Sequence, residues 1–169
     1  MRPILFLLWL IPTQLSATSN SDTVSQILEH YRLDCAIAQE RESGGEPLAK
    51  IVPLKIKNES IYEIEITATG KTATVIISDF ICPGFGSYWC GSFGCSIHLI
   101  VDGVSYSTFG GQPFSISKGK EYFVITPRSG LTCDRHGAAP CYAVSVWDER
   151  ENQFNIIGGM TKPMFQTSP

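Results

Sequence analysis

The first regular pattern along the chain is helical. Val24, Ile27, Leu28 and Tyr31 recur at i, i+3, i+4 and i+7, a spacing that puts four apolar side chains on one face of a helix. Just before them, Ser19-Asn20-Ser21-Asp22 supplies the short polar side chains that pair with the unbonded amides of a first turn. Together these predict one amphipathic helix over residues 23–33. Gln39 to Pro47 is polar and contains Gly44-Gly45, which predicts an exposed loop.

From about residue 50 the period changes to two. Ile51 to Ile56 reads as a strand, with Pro53 marking an edge or a bulge. In Ile61 to Thr67, Tyr62, Ile64 and Ile66 alternate with Glu63 and Glu65, which predicts a strand with one buried and one wet face. Gly70-Lys71 then turns into Thr72 to Ser78, a β-branched run suited to a central strand. After a loop from Asp79 to Gly94, Cys95 to Val101 and Val104 to Phe109 flank Asp102-Gly103, a dipeptide that tolerates the positive φ angles of a two-residue type I′ hairpin. Pro113 to Ser117, Glu121 to Thr126, Tyr142 to Trp147 and Gln153 to Ile157 complete the predicted strands, with turns at Lys118-Gly119-Lys120 and Asp148 to Asn152. The Gly, Pro and polar tail over 158–169 is expected to be loosely held.

These strands fall into two runs of the same order. Residues 61–109 and 113–157 each read strand, turn, strand, cysteine loop, strand, turn, strand. The expected fold is therefore mainly β, with two antiparallel four-stranded units as a twofold internal repeat and one N-terminal α-helix covering a face or an edge.

The start of the chain does not belong to this pattern. Arg2, the eight-residue apolar run Ile4 to Ile11, the breaker Pro12 and the small pair Ser16-Ala17 are arranged as in a secretory leader, which predicts a signal peptide over 1–17 and a single mature domain over 18–169. The run is too short for a transmembrane anchor, which needs roughly 20 apolar residues. Leu15-Ser16-Ala17 is followed by Thr18, not by the Cys of a lipoprotein processing site, so the expected product is soluble and periplasmic or secreted.

Export changes how the six cysteines are read. Cys35, Cys82, Cys90, Cys95, Cys133 and Cys141 are an even number in a chain bound for an oxidising compartment, so disulfides are expected. Cys133 and Cys141 bracket a short loop, as do Cys90 and Cys95, and Cys35 with Cys82 completes the set. The main competitor pairs Cys82 with Cys90 around PGFGSYW and leaves Cys35 to reach Cys95. Zinc is a poor alternative, with no CxxC and three His in the whole chain.

With 13 basic and 16 acidic residues and a net charge of −3, the chain lacks the basic footprint that nucleic acid requires. No phosphate loop, dinucleotide-binding, metalloprotease or EF-hand pattern occurs, and no cofactor or metal is expected. The loop from Phe80 to Phe93 carries Phe85, Tyr88 and Trp89 on a glycine-rich, cross-linked backbone, where they could serve as rigid anchors for a protein or glycan partner. The competing reading folds these rings inward around the cystines, the commoner fate of aromatics. Arg135 and His136, in the second cysteine loop, are candidates for a polar contact patch, or are simply a solvated loop tip.

Catalytic readings are thinner. His98 lies on a strand with its side chain opposite those of Ile97 and Leu99, which assigns it to the polar face, and no GxSxG elbow accompanies it. Glu63 and Glu65 share a strand face at a spacing of nearly 7 Å, usable for glycoside chemistry, but an exposed sheet face explains them fully. Asn58-Glu59-Ser60 matches the glycosylation sequon, which matters only in a eukaryotic secretory pathway.

The stretch TVIISDFICPGFGSYWCGSFGCSIHLIV, preceded by Leu33-Asp34-Cys35 and a Gly-Gly loop, resembles a group of small bacterial exported proteins of unassigned function with a CGxxGC element between two strands. Here that element is Cys90-Gly91-Ser92-Phe93-Gly94-Cys95. The resemblance covers about Cys35 to Val101 and names no activity. Many such proteins carry an acidic DxNGDG-type loop, similar to calcium-binding repeats, before the preceding strand. This chain has Thr67-Ala68-Thr69-Gly70-Lys71-Thr72 there, without the carboxylates a hard cation requires.

The expected function is that of a non-enzymatic interaction or inhibitor-like protein of the bacterial envelope, binding through stapled aromatic loops. The alternatives are an envelope-polymer hydrolase centred on His98 or the Glu63/Glu65 pair, and a purely structural β protein.

Overall fold

A computed structural model describes residues 19–42, 52–133, 139, 141–158 and 165–167. The expected leader, Gly44-Gly45, Arg135 and His136 lie outside the described residues. The fold is mainly β, with two antiparallel sheets and one helix.

The helix α1 spans Asn20–Glu42, longer than the 23–33 predicted. Its apolar stripe does not stop at Leu33: Cys35, Ala38 and Gln39 continue the face begun by Val24 and Tyr31 and are buried with it. Gln39 to Glu42 are thus helical, not part of a loop. At the N-terminus Ser19 and Asp22 form a reciprocal cap, the Asp22 amide donating to Ser19 Oγ (3.2 Å) and the Ser19 amide to Asp22 Oδ2 (3.3 Å).

The first sheet is a meander of β1 (Ile61–Glu65), β2 (Thr72–Ile77), β4 (Gly94–Val101) and β5 (Val104–Gly110), with the two-residue β3 (Cys90–Gly91) paired to β4. Asp102 and Gly103 both have positive φ, +50° and +79°, as the type I′ turn requires. The expected tail supplies a further strand: β10 (Phe165–Thr167) pairs with β5, which corrects the expectation of a loosely held end at those residues. The second sheet is the meander of β6 (Phe114–Lys118), β7 (Glu121–Arg128), β8 (Cys141–Asp148) and β9 (Gln153–Gly158). In both units a cysteine loop joins the second and third strands of the meander, so the repeat order read from the sequence is present. The predicted strand at 51–56 is not: residues 52–57 form an extended segment with one bridge, Lys55 to Ile81, while Ile51 lies outside the described residues.

The sheets pack inner face to inner face. Ala73, Val75, Ile77, Ile97, Leu99 and Val101 meet Val124, Trp147 and Phe154 across the interface, with Tyr106, Trp147 and Phe154 in mutual edge-to-face contact. Tyr62 Oη donates to the Pro113 carbonyl at 2.7 Å, and Tyr106 Oη donates to the Asn152 carbonyl, so polar ties accompany the apolar core.

The outer face of the first sheet is also buried. Ile76, Phe80 and Ile100 pack beneath Val24, Ile27, Leu28 and Tyr31 of α1, which makes β2 buried on both faces and accounts for its unbroken TVII run. Asn20 and Thr23 seat the helix on the β4–β5 turn: the Gly103 amide donates to Asn20 Oδ1 (2.7 Å) and Thr23 Oγ1 donates to the Gly103 carbonyl (2.7 Å). At the other end Gln39 makes two bonds to the backbone of Val52 (3.0 and 3.1 Å), acting as a strand edge would. Cys35 is joined to Cys82, Cys90 to Cys95 and Cys133 to Cys141, the pairing expected from the loops. Three disulfides suit an oxidising compartment, and among the described residues no helix is long and apolar enough to cross a membrane.

Candidate functional site

A cleft of about 870 Å³ opens between α1 and the hairpin made by β3 and β4. Its origin lies in side-chain size along the outer face of the first sheet. The strand register places His98 beside Ser107 and Ser96 beside Phe109, with Ser105 next to Ile100. Small serines at these points leave depth under the helix where larger residues would fill it. Gln26, Ile27, His30 and Asp34 of α1 form one wall, and Trp89, Cys90, Gly91 and Phe93 form the other.

The hairpin wall is held by its backbone. Cys90 and Cys95 are directly opposed and bonded, and the turn closes through Gly91 and Gly94. Gly94 has φ +95°, and a Cβ there would run into the backbone of Gly110. No other residue type fits that approach. The disulfide Cys35–Cys82 ties the opposite wall, α1, to the same cysteine loop.

At the floor sits a chain of neutral polar groups. Tyr31 Oη and His98 Nε2 share a hydrogen bond of 2.9 Å, and His98 Nδ1 lies 2.9 Å from Ser107 Oγ and 3.3 Å from Ser105 Oγ. Burial pushes His98 down to about 4, helped by the nearby His30, so the ring is uncharged at neutral pH. Burial likewise raises Tyr31 above the ordinary tyrosine range, which keeps its hydroxyl protonated. The expectation that His98 points to the polar face is corrected: its side chain does oppose Ile97 and Leu99, but α1 covers the face it occupies.

The three aromatic candidates divide. Trp89 folds inward, its ring 5.0 Å from Tyr31 and 6.3 Å from Phe80 in edge-to-face contacts, so it belongs to the small core under α1 as well as to the cleft wall. Tyr88 stands at the rim, 52% exposed, and Phe85 makes an edge contact with it while staying half-buried. Phe93 and Phe109, 52% and 57% exposed, complete the rim although the sequence did not single them out. Phe109 comes from β5, and only the register that sets it beside Ser96 brings it to the hairpin. Tyr31, Ser96, Ser105 and Ser107 were also missed. Their one signal was an alternation of serines with apolar residues in both strands of the hairpin, which reads equally as a wet face.

The other catalytic candidates do not converge. Glu63 and Glu65 lie exposed on β1, away from the cleft, with Glu65 accepting a bond from Tyr122 Oη at 3.2 Å. His98 has hydroxyl groups at both ring nitrogens. Orienting carboxylates are a feature of nucleophilic triads, and among the described residues none hydrogen-bonds this ring.

The fold and site define a class: a disulfide-bonded β-sandwich with one sheet capped by a helix and a cleft beneath that helix. No protein-family model, curated protein sequence or solved structure matches this chain.

Proposed function

We propose that this chain is an exported, non-enzymatic binding protein whose ligand enters the cleft between α1 and the Cys90–Cys95 hairpin. The observation that carries this reading is the cleft itself: concave, of the size ordinary ligand sites have, rimmed by exposed aromatics and cross-linked on both walls. A site stapled in its open form loses little entropy when it is filled. The leader-like first 17 residues, the three disulfides and the resemblance to small bacterial exported proteins support placement in the bacterial envelope. In this reading Trp89 lines a wall and Tyr88, Phe93 and Phe109 the rim, while Phe85 is not among the lining residues.

Native mass spectrometry of the protein purified from its own host tests this. A non-covalent adduct on the wild type is expected to disappear in Phe93→Ala/Phe109→Ala with the melting temperature unchanged. Both rings are exposed, so folding does not depend on them. An adduct that persists in the double variant argues against the cleft, and multiple-turnover hydrolysis of envelope polymers lost in His98→Ala would return the protein to the hydrolases.

A further inference from the structure

Resting on that site, we infer that its ligand is an uncharged, mainly apolar small molecule carrying a hydroxyl or carbonyl group, which lies among the aromatic rings with that group at the Ser96, Ser105 and Tyr31 hydroxyls. Three features fix the class. The walls and rim present Ile27, Trp89, Phe93 and Phe109, so most of the ligand surface must be apolar. Among the described residues no Lys or Arg lines the cleft, leaving a carboxylate or phosphate without a counter-charge there. The floor holds hydroxyls and an imidazole already bonded to Tyr31 and Ser107, groups that match a neutral donor or acceptor and carry no counter-charge for an ion.

A cation would find one carboxylate among the described lining residues, Asp34 on the α1 wall, whose Oδ2 already lies 3.5 Å from His30 Nε2. The polar end of the ligand therefore goes down and its apolar body outward, the reverse of a site built around an ion pair. The volume of about 870 Å³ leaves room for a body of drug-like size, but not for a folded partner.

The test uses the intact, disulfide-bonded chain and the uncharged fluorophore N-phenyl-1-naphthylamine, with decan-1-ol, decanoate and decylammonium as displacers of equal chain length. The fluorophore should bind, and Phe93→Ala should weaken it about tenfold. Decan-1-ol should displace it at about one-tenth the concentration needed for either ion. Ser96→Lys, or Gln26→Lys on the exposed helix wall if the first variant melts early, should shift the preference toward decanoate. Failure of the fluorophore to bind, or binding indifferent to Phe93→Ala, would remove the cleft reading and this inference with it. Binding that decanoate, decylammonium or a cello-oligosaccharide displaces as well as decan-1-ol would leave the cleft in place and overturn the ligand class alone.

Discussion

His98 shows how one residue couples burial to pH. Its folded pKa, pushed down to about 4, lies below the ordinary value of 6.5, so the unfolded chain takes up the proton first as pH falls. The stabilisation is complete above pH 6.5 and is lost between pH 6.5 and 4, on the order of 2 kcal/mol once the ring's partial exposure is allowed for. Thermal melts should therefore fall across that window, and His98→Gln should flatten the slope. Asp79 answers separately. Burial would raise its carboxyl, but the bonds from Lys57 Nζ (2.8 Å) and Ser60 hold it below the usual range, so its contribution disappears only in stronger acid. Gly94 is the second sensitive residue: Gly94→Ala combines a positive φ with a backbone collision, and chemical denaturation should show a loss of about 2 kcal/mol or more. Its glycine was legible as part of a tight turn, but the collision was not, because Gly110 comes within reach only through the β4–β5 register.

At the scale of elements, the disulfides do unequal amounts of work. Cys35–Cys82 closes a loop of sequence separation 47 and Cys90–Cys95 one of 5, so chain entropy predicts losses of about 4 and about 2 kcal/mol when each is replaced by a serine pair. Denaturant midpoints of the two double variants should rank in that order. Hydrogen exchange should rise along α1 in the first and around β3 in the second. Much of this level could be read in advance. The strands, the Asp102-Gly103 turn and the two short-loop cystines follow from period, dipeptide and loop length, and Cys35–Cys82 is the pair they leave over. The helix end did not, because Cys35 was counted as a cross-link and not as an apolar position on the stripe. The segment 52–57 has strand-like alternation, but Leu54 and Ile56 spend it on packing beneath the helix, leaving one bridge and no ladder. The cleft was illegible for a related reason: a strand pattern reports which side chains share a face, and says nothing of how far a helix covers it.

Over the whole molecule, the two sheets differ in their outer surfaces. The first is roofed by α1, whereas the second leaves Phe114, Ile116 and Tyr142 exposed. Under that roof the cross-links differ in burial, since Cys35 and Cys82 are nearly inaccessible and Cys90 and Cys95 half-buried. A small thiol at neutral pH should reduce Cys90–Cys95 well before Cys35–Cys82, and alkylation followed by peptide mapping should show that order. The long cross-link also has a mechanical consequence. Stretched between α1 and β9, the unfolded chain passes from residue 35 to residue 82 through a covalent step with Cα atoms 5.6 Å apart. Roughly 160 Å of contour, 47 residues at about 3.4 Å each, is thereby withheld from the applied force. In an optical trap the oxidised protein should extend short of a Cys35→Ser/Cys82→Ser variant by about that length and recover it in one step when this bond is cut, so that β1 and β2 are carried within a closed ring however hard the ends are pulled.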